Sequence, residues 1–479
     1  MTRHCVLALD QGGHASRAMV FDATGRVLAK AERRIATRRL GKLKVEHTAA
    51  AVLRSLQDAA AEAVAALPAR VEIHAAALAT QRSSIACWDR DDGRPLSPVL
   101  SWQDRRAVRK VKSLAAHERR VRKLTGLVLS PHYGATKLAW CLEHVPEVRR
   151  AARAGHLAAG PLASYLAAGL TERHPCVADP VNGFRTQLMD LKTMTWAQEL
   201  CELFHVPMQV LPECVPNRYD FGDLRIAGRT IPLTVVTGDQ PAALFAQEQP
   251  EPATAYINIG TGAFVQALAD RDVPSLLRSV LWRDSERTLF ALEGTVNGAA
   301  TALDAVAKQL GLSPARMMRQ LPNWLVETKE PPLFLNGVGG LAAPYWQPEF
   351  RSRFVGRGDT PSQMVAVVES IAFLLHANLQ RMQEHGLGFT RLRISGGLSQ
   401  LDGLCQHLAS LSGLPVERPQ LHEATAMGLA RLAGGLAETQ PVACERFEPR
   451  PDPELRSREK RWQHAMRVAL QGPKKKKAR

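Results

Sequence analysis

Val6-Leu7-Ala8-Leu9-Asp10, Gln11-Gly12-Gly13-His14-Ala15-Ser16-Arg17, then Ala18-Met19-Val20-Phe21 read in turn as strand, polar glycine turn and strand. A second stretch, Tyr256-Ile257-Asn258-Ile259, Gly260-Thr261-Gly262, Ala263-Phe264-Val265-Gln266, repeats that plan in the other half of the chain. Each hairpin is followed by helical patterns alternating with short apolar strands, such as residues 75–79 and 392–395. That alternation is the signature of α/β layers in which helices cover a mixed sheet. The chain has 479 residues, whereas single cores stop growing at roughly 250–300. Two related α/β domains facing one another across a cleft are therefore predicted.

Working outward from the hairpins gives the boundaries. Pro and Gly concentrate at 212–222 and 228–241, read as the approach to an interdomain hinge. This puts an N-terminal domain at 1–246, a C-terminal domain at 247–436, and a C-terminal helix with a basic tail at 437–479. Within the second domain, Val365, Val368, Ile371, Ala372, Leu375 and Leu379 recur at helical spacing and predict a long core helix over 362–384. A short amphipathic helix is expected over 454–470, and the last seven residues are expected to be disordered.

Composition excludes several classes. With 45% hydrophobic, 23% charged and 5% aromatic residues, the chain is a globular protein rich in aliphatic packing. Its eight cysteines follow no metal-ligand spacing and read as reduced thiols of a cytoplasmic protein. No signal peptide is read at the N-terminus. The most apolar later stretch, 157–170, is broken by Gly160-Pro161 and is too short to cross a bilayer, so no membrane partner is expected. The net charge of +16 raises the question of a nucleic-acid partner. From residue 436 onward, however, twelve Lys/Arg face six Asp/Glu, so six of the sixteen surplus charges sit in a tail. The remainder lacks the basic and aromatic interleaving of a nucleic-acid module, and nucleic acid is not expected.

A glycine hairpin presents backbone N–H groups in a concave nest that suits a phosphate chain. Gln11-Gly12-Gly13-His14 and Gly260-Thr261-Gly262 both qualify. Either alone also fits an ordinary tight turn; the pair in matching positions favours phosphate. Asp239, between Gly238 and Gln240 at a strand-to-helix junction, suits a helix cap when read alone.

Further short segments fall in one order along the chain. They are Gln81-Arg82, Trp88-Asp89, Gly93-Arg94-Pro95-Leu96, Trp102-Gln103-Asp104-Arg105-Arg106, Thr125-Gly126-Leu127 and Ala135-Thr136-Lys137-Leu138. Gly238-Asp239-Gln240-Pro241-Ala242-Ala243-Leu244-Phe245, Ala343-Pro344-Tyr345-Trp346 and Gly396-Gly397 follow. With the two hairpins, this series resembles the FGGY carbohydrate kinases, and among them the glycerol kinase branch, over nearly the whole chain.

The resemblance implies two actin-like (ribonuclease H-like) domains, an ATP-dependent kinase and a small polyol or sugar as acceptor. It makes Asp239 the general base and Asp10 the carboxylate holding magnesium with the nucleotide. It places Gln11, Gly12, Gly13, His14, Arg17, Gly260, Thr261, Gly262, Gly396 and Gly397 at ATP. It places Arg82, Ser83, Trp102, His132, Asp239 and Gln240 at the acceptor, and it allows a homodimer. Four positions depart from the glycerol kinase pattern. Ser83 stands where those enzymes carry glutamate, His132 where they carry tyrosine, and Gly13 and His14 where they carry threonines. Near the adenine, Leu401 followed by Asp402 replaces an asparagine. Buried polar mismatches shift specificity strongly, so an acceptor other than glycerol is expected. The other readings are a binding or regulatory protein that kept the fold, and an actin- or chaperone-like ATPase.

Overall fold

The computed structural model describes residues 5–421, 423–434, 436 and 443–471. The basic run of the last seven residues, and the expectation attached to it, lie outside them. The chain divides into two compact units. The first comprises Met1–Pro250, Arg278–Phe290 and Leu421–Val442; the second comprises Glu251–Leu277, Ala291–Gln420 and Ala443–Arg479.

The central sheet of the first unit uses β1 (Cys5–Gln11), β2 (Ala15–Phe21), β3 (Val27–Arg34), β4 (Ile73–Thr80), β5 (Asp223–Ile226) and β6 (Arg229–Gly238). Its order is β5-β6-β4-β1-β2-β3. β1 runs parallel to β4, and β4 parallel to β6, while the outer pairs are antiparallel. All seven side chains of β1 are buried, because both faces of the sheet are covered. Leu7 and Leu9 face a core built on Val52, Leu56, Ala60 and Val64 of helix Ala49–Ala65. Val6 and Ala8 face Ala242, Phe245, Leu429 and Ala430 on the other side. Period-two alternation in a strand buried on both faces gives this continuous apolar run.

A five-stranded sheet is built between these strands, in the order Arg38–Leu40, Lys44–His47, Val99–Leu100, Ile85–Asp89, Leu157–Pro161. Helix Gly134–His144 packs on it through Ala135, Leu138 and Cys141.

The second unit repeats the first. Its strands are β7 (Thr254–Ile259), β8 (Ala263–Leu268), β9 (Thr288–Val296), β10 (Arg391–Ser395), β11 (Val416–Pro419) and β12 (Cys444–Phe447). They lie in the order β9-β8-β7-β10-β11-β12. The pairings from β9 to β12 are antiparallel, antiparallel, parallel, parallel, antiparallel. That is the same succession as β3-β2-β1-β4-β6-β5, so the duplication read from two hairpins extends to six strands.

The long helix runs Thr360–Glu384, capped by Asp359, whose carboxylate accepts from Ser362 N. It is long and apolar enough to cross a membrane by composition, but it is buried within its unit as a core helix. Helix Pro453–Leu470 docks on it through a buried ion pair, Arg458 Nη2 to Glu369 Oε1 at 2.7 Å, and through His376–Glu459. Buried charges need partners of this kind.

The stretch 228–241, read as the approach to a hinge, is instead regular structure. It forms β6 and the start of helix Asp239–Leu244. Pro232 is accommodated beside a register shift between Leu233 and Val235, where a strand tolerates a missing N–H.

Candidate active site

The turn of the first hairpin is shorter than its composition suggested. β1 continues through Gln11 and β2 begins at Ala15, leaving Gly12, Gly13 and His14 as the loop. Gly12 N donates to Ala15 O at 2.9 Å, and the Gln11 side chain donates to Gly12 O at 3.1 Å and accepts from Ser16 Oγ at 2.8 Å. Gly13 is not demanded by its backbone. A Cβ there would lie 3.6 Å from Gln81 Oε1 and 3.9 Å from Trp102 Nε1, ordinary contact distances. His14 is exposed.

Asp10 and Arg17 are cross-strand partners in the β1–β2 register. Arg17 divides its guanidinium between Glu32 Oε2, 2.8 Å from Nε, and Asp10 Oδ2, 3.7 Å from Nη1. Asp10 is buried, and its Oδ1 has no hydrogen-bond partner among the described residues. Burial first, then the charges of Asp239 and Glu423, push its carboxyl up to about 7 against the opposing pull of Arg17.

Asp239 is the first residue of helix Asp239–Leu244, which starts where β6 ends. Its Oδ1 accepts from Gln240 N at 2.7 Å. The side chain is half-buried by surface, yet enough protein surrounds it that lost hydration raises its carboxyl, with Arg82, the Gln240 N–H and Arg185 pulling it down. Arg82 donates to Gln240 Oε1. Gly238 makes room for it, because a Cβ there would meet Arg82 Cδ at 2.6 Å. From behind, helix Ala424–Leu432 packs so tightly that a Cβ on Gly428 would lie 1.8 Å from Ala242 O.

Three short segments of the first unit adjoin one another. The first leaves β4 as Gln81-Arg82-Ser83; Ser83 adopts φ 64°, in the left-handed region that non-glycine residues rarely occupy. Its buried hydroxyl has no partner among the described residues. The second holds Trp102, whose backbone N–H donates to Ser84 Oγ at 3.0 Å. The third holds His132, whose ring meets Trp102 edge-on at 5.6 Å and Tyr133 at 5.1 Å. Burial and the cations Lys137, Arg185, Arg105 and Arg82 hold the His132 imidazole well below its usual range.

In the second unit, the hairpin Gly260-Thr261-Gly262 is tied down through its carbonyls. Thr261 O accepts from Ala299 N, Thr301 N and Thr301 Oγ1, and Gly260 O accepts from Ala300 N, all at 3.0–3.2 Å at the start of helix Ala300–Gln309. Gly262 is a close approach, since a Cβ would lie 2.8 Å from Val296 O. Gly396 follows β10 with φ 91°, and a Cβ there would meet Ile259 O at 2.5 Å, whereas Gly397 has open space.

These features were compared with known proteins. Residues 5–246 match the model of the N-terminal domain of the FGGY family of carbohydrate kinases, and residues 255–436 match its C-terminal domain. The chain belongs to the FGGY family of carbohydrate kinases. It is 34% identical to a glycerol kinase of Geobacter sp., covering 97% of this chain and 98% of that one. It is 37% identical to a glycerol kinase of Trichlorobacter lovleyi, over 90% and 89% respectively. Among solved structures, a Plasmodium falciparum glycerol kinase with ADP superposes with TM-score 0.88 at 23% identity, covering 98% of both chains. A Rhodospirillum rubrum xylulose kinase does so with TM-score 0.85 at 19%, covering 97% and 99%. As an FGGY member the protein is a carbohydrate kinase, with a hydroxyl acceptor and ATP as donor.

Within this FGGY kinase the first unit brings together Asp10, Arg17, Arg82, Ser83, Trp102, His132, Asp239 and Gln240. The second unit holds Thr261 and Gly396. Sequence reading passed over three residues. Glu423 acts on Asp10 electrostatically from a segment that clusters with the first unit. Arg185, buried, bears on both Asp239 and His132. Lys137 is fully buried, and its ammonium donates to three backbone carbonyls. Burial drives Lys137 down to about 7, partly offset by Asp104. It lies in a quoted segment, Ala135-Thr136-Lys137-Leu138, but helical spacing alone does not separate a buried lysine from a solvated one.

Proposed function

We propose that this protein transfers the γ-phosphoryl group of ATP to a hydroxyl of a small polyol or sugar other than glycerol, with Asp239 as general base. The observation that carries the reading is the Asp239 carboxylate, lifted by burial and set at a helix start beside Arg82 and Gln240. A base must hold a proton well enough to take it from an alcohol and still be ionised at working pH. As the acceptor oxygen bonds to phosphorus and the bridge to the β-phosphate breaks, the hydroxyl proton passes to Asp239.

In this reading the first unit supplies the acceptor residues and the base, and the second binds the nucleotide through Thr261, the glycines around it and Gly396-Gly397. The unpartnered Oδ1 of Asp10 fits a hydrated magnesium ion, which would neutralise phosphate charge. Arg17 adds positive charge beside it. Trp102 gives an apolar wall, and Arg82 and Gln240 offer polar groups to hydroxyls. Ser83 and His132, in place of a carboxylate and a phenol, support an acceptor whose hydroxyl pattern differs from glycerol.

ADP release measured with glycerol, tetritols, pentitols and ketopentoses tests the reading. Turnover is expected with a longer polyol or sugar in preference to glycerol, and Asp239→Asn is expected to lower kcat by about 10²–10⁴ while ATP still binds. Preference for glycerol overturns the acceptor assignment; turnover that survives Asp239→Asn overturns the base.

A further inference from the structure

The three segments proposed to meet the acceptor come from distant parts of the sequence; Ser83 and Trp102 flank the Ile85–Leu100 strand pairing, and His132 lies outside any strand. One buried group joins them. Lys137, in helix Gly134–His144, is fully buried, and its Nζ donates to Ser83 O at 2.9 Å, Ser101 O at 2.9 Å and His132 O at 2.7 Å. Protonated, the side chain has three N–H donors, and here each is matched by a carbonyl from a different segment. The first carbonyl belongs to Ser83, the second directly precedes Trp102, and the third belongs to His132.

We infer that Lys137 is a positioning residue that bolts the three acceptor-facing segments together and so sets affinity and specificity for the acceptor without touching it. This rests on the acceptor reading above. Several observations support a positioning role over simple charge burial. Asp104, the carboxylate that acts on Lys137, is already bound by Arg106 at 2.8 Å and by Val45 N at 2.7 Å. Lys137 is therefore aimed at carbonyls, not at a counter-ion. Ser83 holds a left-handed backbone without being glycine, a conformation that persists where surrounding contacts fix it, and the Lys137 bond to its carbonyl is such a contact. The two aromatic walls, Trp102 and His132, touch each other edge-on at 5.6 Å, so their geometry depends on both segments being held in register.

Two variants and two measurements test this. Lys137→Met fills the same space without donors, and Lys137→Gln retains two N–H donors. Amide hydrogen exchange is independent of any acceptor. In Lys137→Met, protection is expected to fall at least tenfold in peptides spanning 81–84, 101–103 and 131–133 together, and to hold in β1 and β2. Loss confined to the helix around 137, or none, overturns the inference. For whichever compound of the panel the wild type phosphorylates, Lys137→Met is expected to raise acceptor KM at least tenfold with ATP KM within twofold. Lys137→Gln should recover part of that loss. Equal rises in both KM values, or an unchanged acceptor KM, overturn it as well. If the wild type turns over no acceptor, the functional reading fails while the exchange experiment still decides on Lys137.

Discussion

The two glycine hairpins share one strand plan and divide the chemistry unequally. In the first, the residue two before the leading glycine is Asp10, buried, opposite Arg17 and lifted to about 7. In the second, the same place is taken by Asn258, exposed, whose amide donates to Ser395 Oγ at 3.1 Å. The segments that leave the neighbouring parallel strands diverge likewise. β4 runs into Arg82 and a strained Ser83, both bearing polar side chains, whereas β10 runs into Gly396 at φ 91°, which bears none. A duplicated scaffold thus keeps ionisable groups on one copy and bare backbone on the other. Charge suits proton transfer and metal, and bare backbone suits close approach to a nucleotide.

The largest effect is expected at Gly396. In Gly396→Ala the new methyl would meet Ile259 O in an unfavourable φ region, so a Tm several degrees lower and an ATP Kd at least tenfold weaker are expected, read by thermal unfolding and calorimetry. Unaltered ATP binding would show that this copy is not the backbone half of the site.

Asp10→Asn tests the charged half. The folded state holds the Asp10 proton up to about 7, the unfolded chain only to about 4. Folded protein thus binds more protons in that window, and the native carboxylate costs stability progressively as pH rises from about 4 to 7. Asp10→Asn should therefore abolish activity while raising Tm, more at pH 8 than at pH 5. A Tm that falls at pH 8 would mean that the ionised carboxylate is stabilising. The smallest effect is expected from Gly13→Thr. The Cβ has ordinary clearance, and the added hydroxyl should tighten ATP two- to fivefold, about 0.4–1 kcal/mol, in a KM titration.

The scaffold was legible because β1, β2, β7 and β8 are local hairpins whose apolar runs announce themselves, and the long core helix has an unbroken period. The place of Asp239 where a strand meets a helix was legible because the Gly238-Asp239-Gln240 junction is local too. The misread stretch at 228–241 shows the limit. Pro232 and its glycines look like a connection, but pairing to β5 and β4 and the burial of Ile231, Leu233 and residues 235–238 override local propensity. Lys137, Arg185 and Glu423 were missed for a related reason. Their roles are set by which carbonyls and carboxylates the tertiary fold brings to them, and no spacing in the sequence records that.

Helix Ala424–Leu432, which backs the helix of Asp239, is made far later than the strands it completes. At a synthesis rate of about 5–20 residues per second, the ribosome needs roughly 10–40 s after residue 246 before that helix exists. During that interval the buried face formed by Val6, Ala8, Phe245 and Ala242 lacks its Leu429 and Ala430 cover. Nascent chains therefore carry this apolar face without its last cover until most of the second unit has been made.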